Sequence, residues 1–135
     1  MEYKQLLQNH GLKATQQRIE IIECIQHAGH ISIDDLYQNI RQKFTSISLA
    51  TLYKNIHTML NTNLIREVKI LGKKAKYEIE KEPHIHILCK TCGELKDIHF
   101  DSFSIIEEMV KKENYMADDV LVVVSGICPL CRKKV

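Results

Sequence analysis

Apolar residues recur every third or fourth position through roughly the first sixty residues and every second position after that, so the chain reads as helices followed mainly by strands. In GLKATQQRIEIIECIQHAG, beyond Leu6 and Leu7, residues Ile21, Ile22, Ile25 and Ala28 gather on one face beside Ile19. Thr15 is a suitable N-cap there and Gly29 a stop. Ser32 can cap IDDLYQNIRQKF, whose Ile33, Leu36, Tyr37 and Ile40 form an i, i+3, i+4, i+7 stripe and whose Asp34 and Asp35 suit the positive first turn. A third helix starts at Ser48 in SLATLYKNIHTMLNTN, with Leu49, Leu52, Ile56 and Leu60 facing inward and Asn61 to Asn63 ending it.

LIREVKIL and KAKYEIE then alternate on either side of Gly72 and Lys73, which predicts a hairpin. Three helices and a hairpin make a winged helix, whose third helix would lie in a DNA major groove. Its outward face carries Ser48, Thr51, Lys54, Asn55 and Thr58, with hydroxyls for phosphates and an amide and an amine for bases or backbone. The competing reading is a solvated face on a structural helical bundle.

Lys81, Glu82 and Pro83 break the hairpin pattern and mark a boundary, giving units 1–80 and 81–135. Beyond it come a strand HIHILC, a turn, a strand ELKDIHF, a helix from Ser102 to Asn114 and a strand VLVVVSGIC, a small α+β unit. Charge divides at nearly the same place: residues 1–77 hold eleven Lys/Arg against six Asp/Glu, residues 78–135 eight against eleven. The first half suits a polyanion, and the acidic, His- and Cys-rich second half suits cations. No apolar run approaches the ~20 residues of a membrane span and the N-terminus has no signal-like stretch, so a cytoplasmic protein is expected.

Four of the five cysteines form two C-x-x-C pairs, Cys89 with Cys92 and Cys128 with Cys131. Each pair follows a strand, in a tight turn. In a reducing compartment, two such turns facing each other supply four thiolates to a tetrahedral Zn2+ with no position open for chemistry. A dithiol redox pair is the alternative, and Cys24, on a helix face, reads as a small hydrophobe. His84 and His86 share one face of a strand while Ile85 and Ile87 face the core, and strand parity separates these histidines from Cys89. Two ions are therefore expected, unless the pair is two ordinary exposed histidines. The second ion would draw on Glu78 and Glu80 from the preceding strand and on Asp97 and His99 from the following one. Mixed imidazole and carboxylate ligands suit Fe2+, Mn2+ or Zn2+. His10, His27 and His57 read as surface residues.

GLKATQQR, the S-x-A-T-L-Y-K-N-I helix, H-I-H-I-L-C-x-x-C-G and the terminal G-I-C-P-L-C together resemble the ferric uptake regulator superfamily over nearly the whole chain. The resemblance implies a homodimeric repressor of operator DNA: an α+β protein with an N-terminal winged helix-turn-helix domain followed by a small α+β dimerisation domain with a structural zinc site. It implies structural Zn2+ on Cys89, Cys92, Cys128 and Cys131, and a regulatory Fe2+ or Mn2+ on His30, Glu78, His84, His86 and Asp97. It adds Tyr53, Lys54 and a minor-groove Lys13 to the DNA contacts. His30 comes from the resemblance alone, since by position it reads as a loop residue after Gly29.

Asp97 stands where iron-sensing members carry Glu, which resembles the peroxide-sensing branch. There, peroxide oxidises a histidine ligand of bound Fe2+, by analogy His30 or His84, and the repressor leaves DNA; Mn2+ would hold DNA while reacting poorly. Glu78 departs from that branch, which usually has Asp at its position. Ser104 and Val120 stand where many iron sensors have a Glu and a His for an additional metal site. The alternatives are an iron-responsive repressor of iron-uptake genes and a mononuclear iron enzyme using His84, His86 and Asp97. The enzyme reading suffers because a winged helix and a zinc turn leave little room for a substrate pocket, and no enzyme activity is expected.

Overall fold

The computed structural model describes residues 2–101 and 103–134. They fall into two compact units, Met1–Glu80 and Lys81–Val135.

The first unit holds α1 (Tyr3–Asn9), α2 (Gln16–Ala28), β1 (Ile31–Ser32), α3 (Ile33–Lys43), α4 (Leu49–Asn61), β2 (Ile65–Val68) and β3 (Lys76–Ile79). Its helix starts follow the sequence signals. Thr15 accepts from the Arg18 amide at 3.2 Å, Ser32 from Asp35 at 3.3 Å and Ser48 from Thr51 at 3.0 Å, each supplying an acceptor to an amide that the helix itself leaves without one. Gly29 ends α2 with φ +78°, a conformation that a Cβ would strain, while its N–H closes on the Ile25 carbonyl at 2.9 Å. Leu7, Ile21, Ile22, Ile25, Leu36 and Ile40 are fully buried together with Leu52 and Met59. At about 1.5–3 kcal/mol for each large aliphatic side chain removed from water, this core is what holds the helices together.

On α4 the inward face is Leu52, Ile56 and Met59, with Leu60 partly buried. Leu49, expected to face inward, is instead exposed at 41%. It sits in the first turn, and the stripe that reaches the core begins three residues later. The three strands pair in the order β1-β3-β2, all antiparallel. The two-residue β1 has no signature in the sequence pattern, and it extends the hairpin into a sheet.

The second unit holds β4 (His84–Cys89), β5 (Leu95–His99), α5 (Phe103–Lys112), β6 (Val123–Gly126) and a short α6 (Pro129–Arg132). The expected helix start at Ser102 lies outside the described residues. β4 is central in the order β5-β4-β6, antiparallel to β5 and parallel to β6, with α5 in the connection between β5 and β6.

Burial along β4 reverses the expected assignment of its two faces. His84, His86 and Leu88 are buried, whereas Ile85 and Ile87 are only partly covered. The alternation is as read, but the apolar side is not the covered one. In register with Ile85 and Ile87 lie Ile98 and Val124, exposed at 40% and 48%. On α5, none of the described side chains is buried, and Ile105 and Met109 are exposed. This unit therefore keeps a broad apolar surface that it does not cover itself.

Candidate metal centres and DNA-facing helix

The thiol cluster is built by two turns. Gly93, at φ +80°, lets the chain reverse after Cys92, and its N–H bonds the Cys89 carbonyl at 2.9 Å. Cys128 caps the N-terminal end of α6, which carries Cys131 back to the first pair. The sulfur atoms of Cys89, Cys92, Cys128 and Cys131 all lie within 4.8 Å of one another. The Cys92 and Cys128 sulfurs are 3.9 Å apart; zinc–sulfur bonds of about 2.3 Å arranged tetrahedrally put sulfurs about 3.8 Å apart. The cluster fits zinc. The amides of Cys92 and Cys128 donate to Cys89 Sγ at 3.5 and 3.3 Å and hold its thiol down to about 6. Sharing a proton with Cys128, reinforced by burial, pushes Cys131 up to about 12. An ionised thiol beside one that holds its proton offers a cation one ready ligand and one that must first release its proton.

A second donor group lies on the buried face of the same sheet. His84 Nε2 and His86 Nε2 are 3.2 Å apart, and Asp97 Oδ1 is 3.5 Å from the latter and 4.0 Å from the former. Strand pairing sets this up: His86 is opposite Asp97 in the register of β4 and β5. His84 Nδ1 lies 2.9 Å from the Glu82 carbonyl, an acceptor only, so Nδ1 donates there and Nε2 is turned toward His86 and Asp97. Two imidazoles and a carboxylate brought this close offer mixed N and O donors that suit a divalent cation such as Fe2+, Mn2+ or Zn2+. Asp97 Oδ2 also takes an ion pair from Lys81.

In the first unit, His30 Nε2 lies 3.0 Å from Glu78 Oε2, and the Glu78 side chain is fully buried. Continuing the register of β1 with β3, in which Ile31 faces Tyr77, sets His30 opposite Glu78. The other two ligand candidates fall outside these groupings. Glu80 is exposed, just beyond β3, and His99 is exposed with Nδ1 3.9 Å from Glu82.

The residues expected to face DNA divide by environment. Lys13, Thr51, Tyr53 and Lys54 are exposed. Ser48 is the α4 cap, and its hydroxyl also donates to Thr51 Oγ1 at 2.9 Å. Asn55 is half-buried and its Oδ1 accepts from Arg18 Nε at 3.1 Å, while Arg18 Nη1 donates to the Lys13 carbonyl at 3.1 Å. Arg18 thus ties the loop of Lys13 to α4. The sequence alone does not single it out, because a lone Arg in the first turn of a helix carries no periodic signal. Cys24 is half-buried, and burial pushes its thiol up, so it stays an inert hydrophobe.

Residues 9–125 match the sequence profile of the ferric uptake regulator family. The chain belongs to that family. Its members are metal-responsive transcriptional regulators, not enzymes; they bind DNA and are dimeric. The ferric uptake regulation protein of Synechococcus elongatus is 33% identical over 94% of this chain and 90% of its own length. The peroxide operon regulator of Bacillus subtilis is 25% identical over 98% and 93%. Among solved structures, the Campylobacter jejuni peroxide stress regulator superposes with a TM-score of 0.75 at 36% identity, covering 97% of this chain and all 100% of that one. Ferric uptake regulators and peroxide regulators thus both stand among the relatives. Among the described residues no helix is long and apolar enough to cross a membrane.

Proposed function

We propose that this family member is a metal-dependent, homodimeric repressor of operator DNA in the cytoplasm, relieved by peroxide. Zn2+ on Cys89, Cys92, Cys128 and Cys131 is structural. One Fe2+ or Mn2+ is held by His30, Glu78, His84, His86 and Asp97; residues 1–80 are the DNA-binding domain and residues 81–135 the dimerisation domain. With the ion bound, α4 presents Ser48, Thr51, Tyr53, Lys54 and Asn55 to the major groove while Lys13 reaches the minor groove. The partly covered Ile85 and Ile87, with the exposed Ile98 and Val124 beside them, give the dimer its apolar contact.

The observation that carries the peroxide reading is Asp97, an aspartate beside His86 at 3.5 Å where iron sensors have glutamate. His30, Glu78, His84, His86 and Asp97 would hold Fe2+, which when bound would supply the reducing chemistry that activates peroxide beside them. One oxygen atom of the peroxide would replace a ring C–H of a ligand imidazole by C–OH or its oxo tautomer, and the second oxygen would leave as water. The oxidised ring binds metal poorly.

A second reading, an iron-responsive repressor, is favoured by the 33% identity with a ferric uptake regulation protein and by the longer Glu78. One experiment separates the two. Zinc-loaded protein is reconstituted anaerobically with Fe2+, exposed to dilute H2O2, and its tryptic peptides are weighed. One added oxygen on the peptides carrying His30 or His84, absent with Mn2+, supports peroxide sensing; release from DNA with no such gain sinks it.

A further inference from the structure

The two carboxylate oxygens of Asp97 meet different groups. Oδ1 faces His86 and His84, while Oδ2 holds the Lys81 ammonium. Lys81 has three N–H donors and no lone pair, so it cannot itself be a ligand. The ammonium has settled on the carboxylate that faces the two histidines.

We propose that Lys81 is a built-in competitor for the regulatory metal, holding the Asp97 carboxylate when no ion is bound and withdrawing when one arrives. The inference rests on the reading of Asp97 as a metal ligand. A carboxylate paired with an ammonium offers less negative charge to an incoming dication, and the ammonium repels that dication until it swings clear. Lysine suits such a role because its charge sits at the end of a flexible four-carbon stem, and with the side chain 43% exposed, water can solvate it once released. Arginine could hold the same carboxylate with two parallel bonds and would be slower to let go. The effect is a shift in metal threshold.

The test is titration of the full-length, zinc-loaded protein with Mn2+, following free metal by electron paramagnetic resonance, in wild type, Lys81→Met, Lys81→Arg and Asp97→Asn. Lys81→Met should bind Mn2+ roughly 5- to 30-fold more tightly, from loss of an ion pair and of a repulsive charge. Lys81→Arg should bind no more tightly than wild type. If Asp97→Asn weakens binding as a ligand change must, but Lys81→Met matches wild type, the competitor role is overturned while the site stands. If Asp97→Asn binds as tightly as wild type, Asp97 is no ligand and both ideas fall. A readout on wild-type protein needs no variant. The acylation rate of Lys81 by an N-hydroxysuccinimide ester, measured by peptide mass spectrometry, should rise several-fold when Mn2+ is added, and an unchanged rate overturns the proposal.

Discussion

His30 stands opposite Glu78 across an antiparallel pair that contains only two residues of strand, with Nε2 3.0 Å from Oε2 and the carboxylate fully buried. A carboxylate out of water needs a cation or several donors to remain charged. The pairing of β1 with β3 is thus what turns a residue following a helix stop into a neighbour of a buried acid.

Glu78→Gln keeps the shape of the side chain and removes its charge. It should weaken Mn2+ binding by at least about tenfold, the scale on which metal sites respond to losing a supporting group, with zinc content unchanged. Metal analysis together with a Mn2+ titration checks both halves; equal affinity would remove Glu78 from the ligand set.

On α4, Tyr53→Ala and Lys54→Ala should leave thermal stability within about 0.5 kcal/mol of wild type, since both side chains are exposed, and yet lower operator affinity. Lys54→Ala should also flatten the salt dependence of binding by about one unit of slope. Ser48→Ala differs in kind, since the hydroxyl caps the helix: a loss of about 1 kcal/mol in stability should accompany any loss in binding. Urea titrations alongside fluorescence anisotropy on operator DNA separate these cases.

Leu52→Ala opens a cavity in a fully buried position and should cost about 2–5 kcal/mol, whereas Leu49→Ala, one turn earlier and exposed, should cost less than about 0.5. A large loss at Leu49 in chemical denaturation would mean that a partner covers it in the assembled protein.

Zinc affinity should fall as pH falls, with a break in slope. Each thiol must give up its proton to bind the ion. Hydrogen bonds and burial keep Cys92 and Cys131 protonated at neutral pH, whereas Cys89, held down to about 6 by two amides, is already a thiolate there. Below that value Cys89 must also be deprotonated by the metal, so log Kd against pH should steepen by one proton below about 6. Competition with a chromophoric chelator across that range measures it. A straight line would mean that the amides do not hold the thiolate.

Elements whose signals are local can be read from the sequence: Thr15, Ser32 and Ser48 announce their helices as caps, and the strand HIHILC is β4 end to end. The thiol cluster can be anticipated for the same reason, since C-x-x-C specifies its own turn. What escapes such reading depends on partners distant in sequence. β1 is too short to carry a period, so the nearness of His30 to Glu78 has no local signal. Arg18 on Asn55 and Lys81 on Asp97 are single side-chain contacts, invisible to any pattern. Burial on β4 comes out opposite to expectation because alternation identifies two faces without saying which will be covered.

Only Ile87 and Leu88 separate His86 from Cys89, so the spacing between the histidine face and the sulfur turn is itself a coded quantity. Deleting or inserting one residue there would leave every ligand in the chain and a strand that still pairs, yet swing both imidazoles to the opposite side of the sheet. A shift of the histidines by one residue would carry them away from Asp97, opposite His86 in the sheet, while the sulfur turn kept its own geometry.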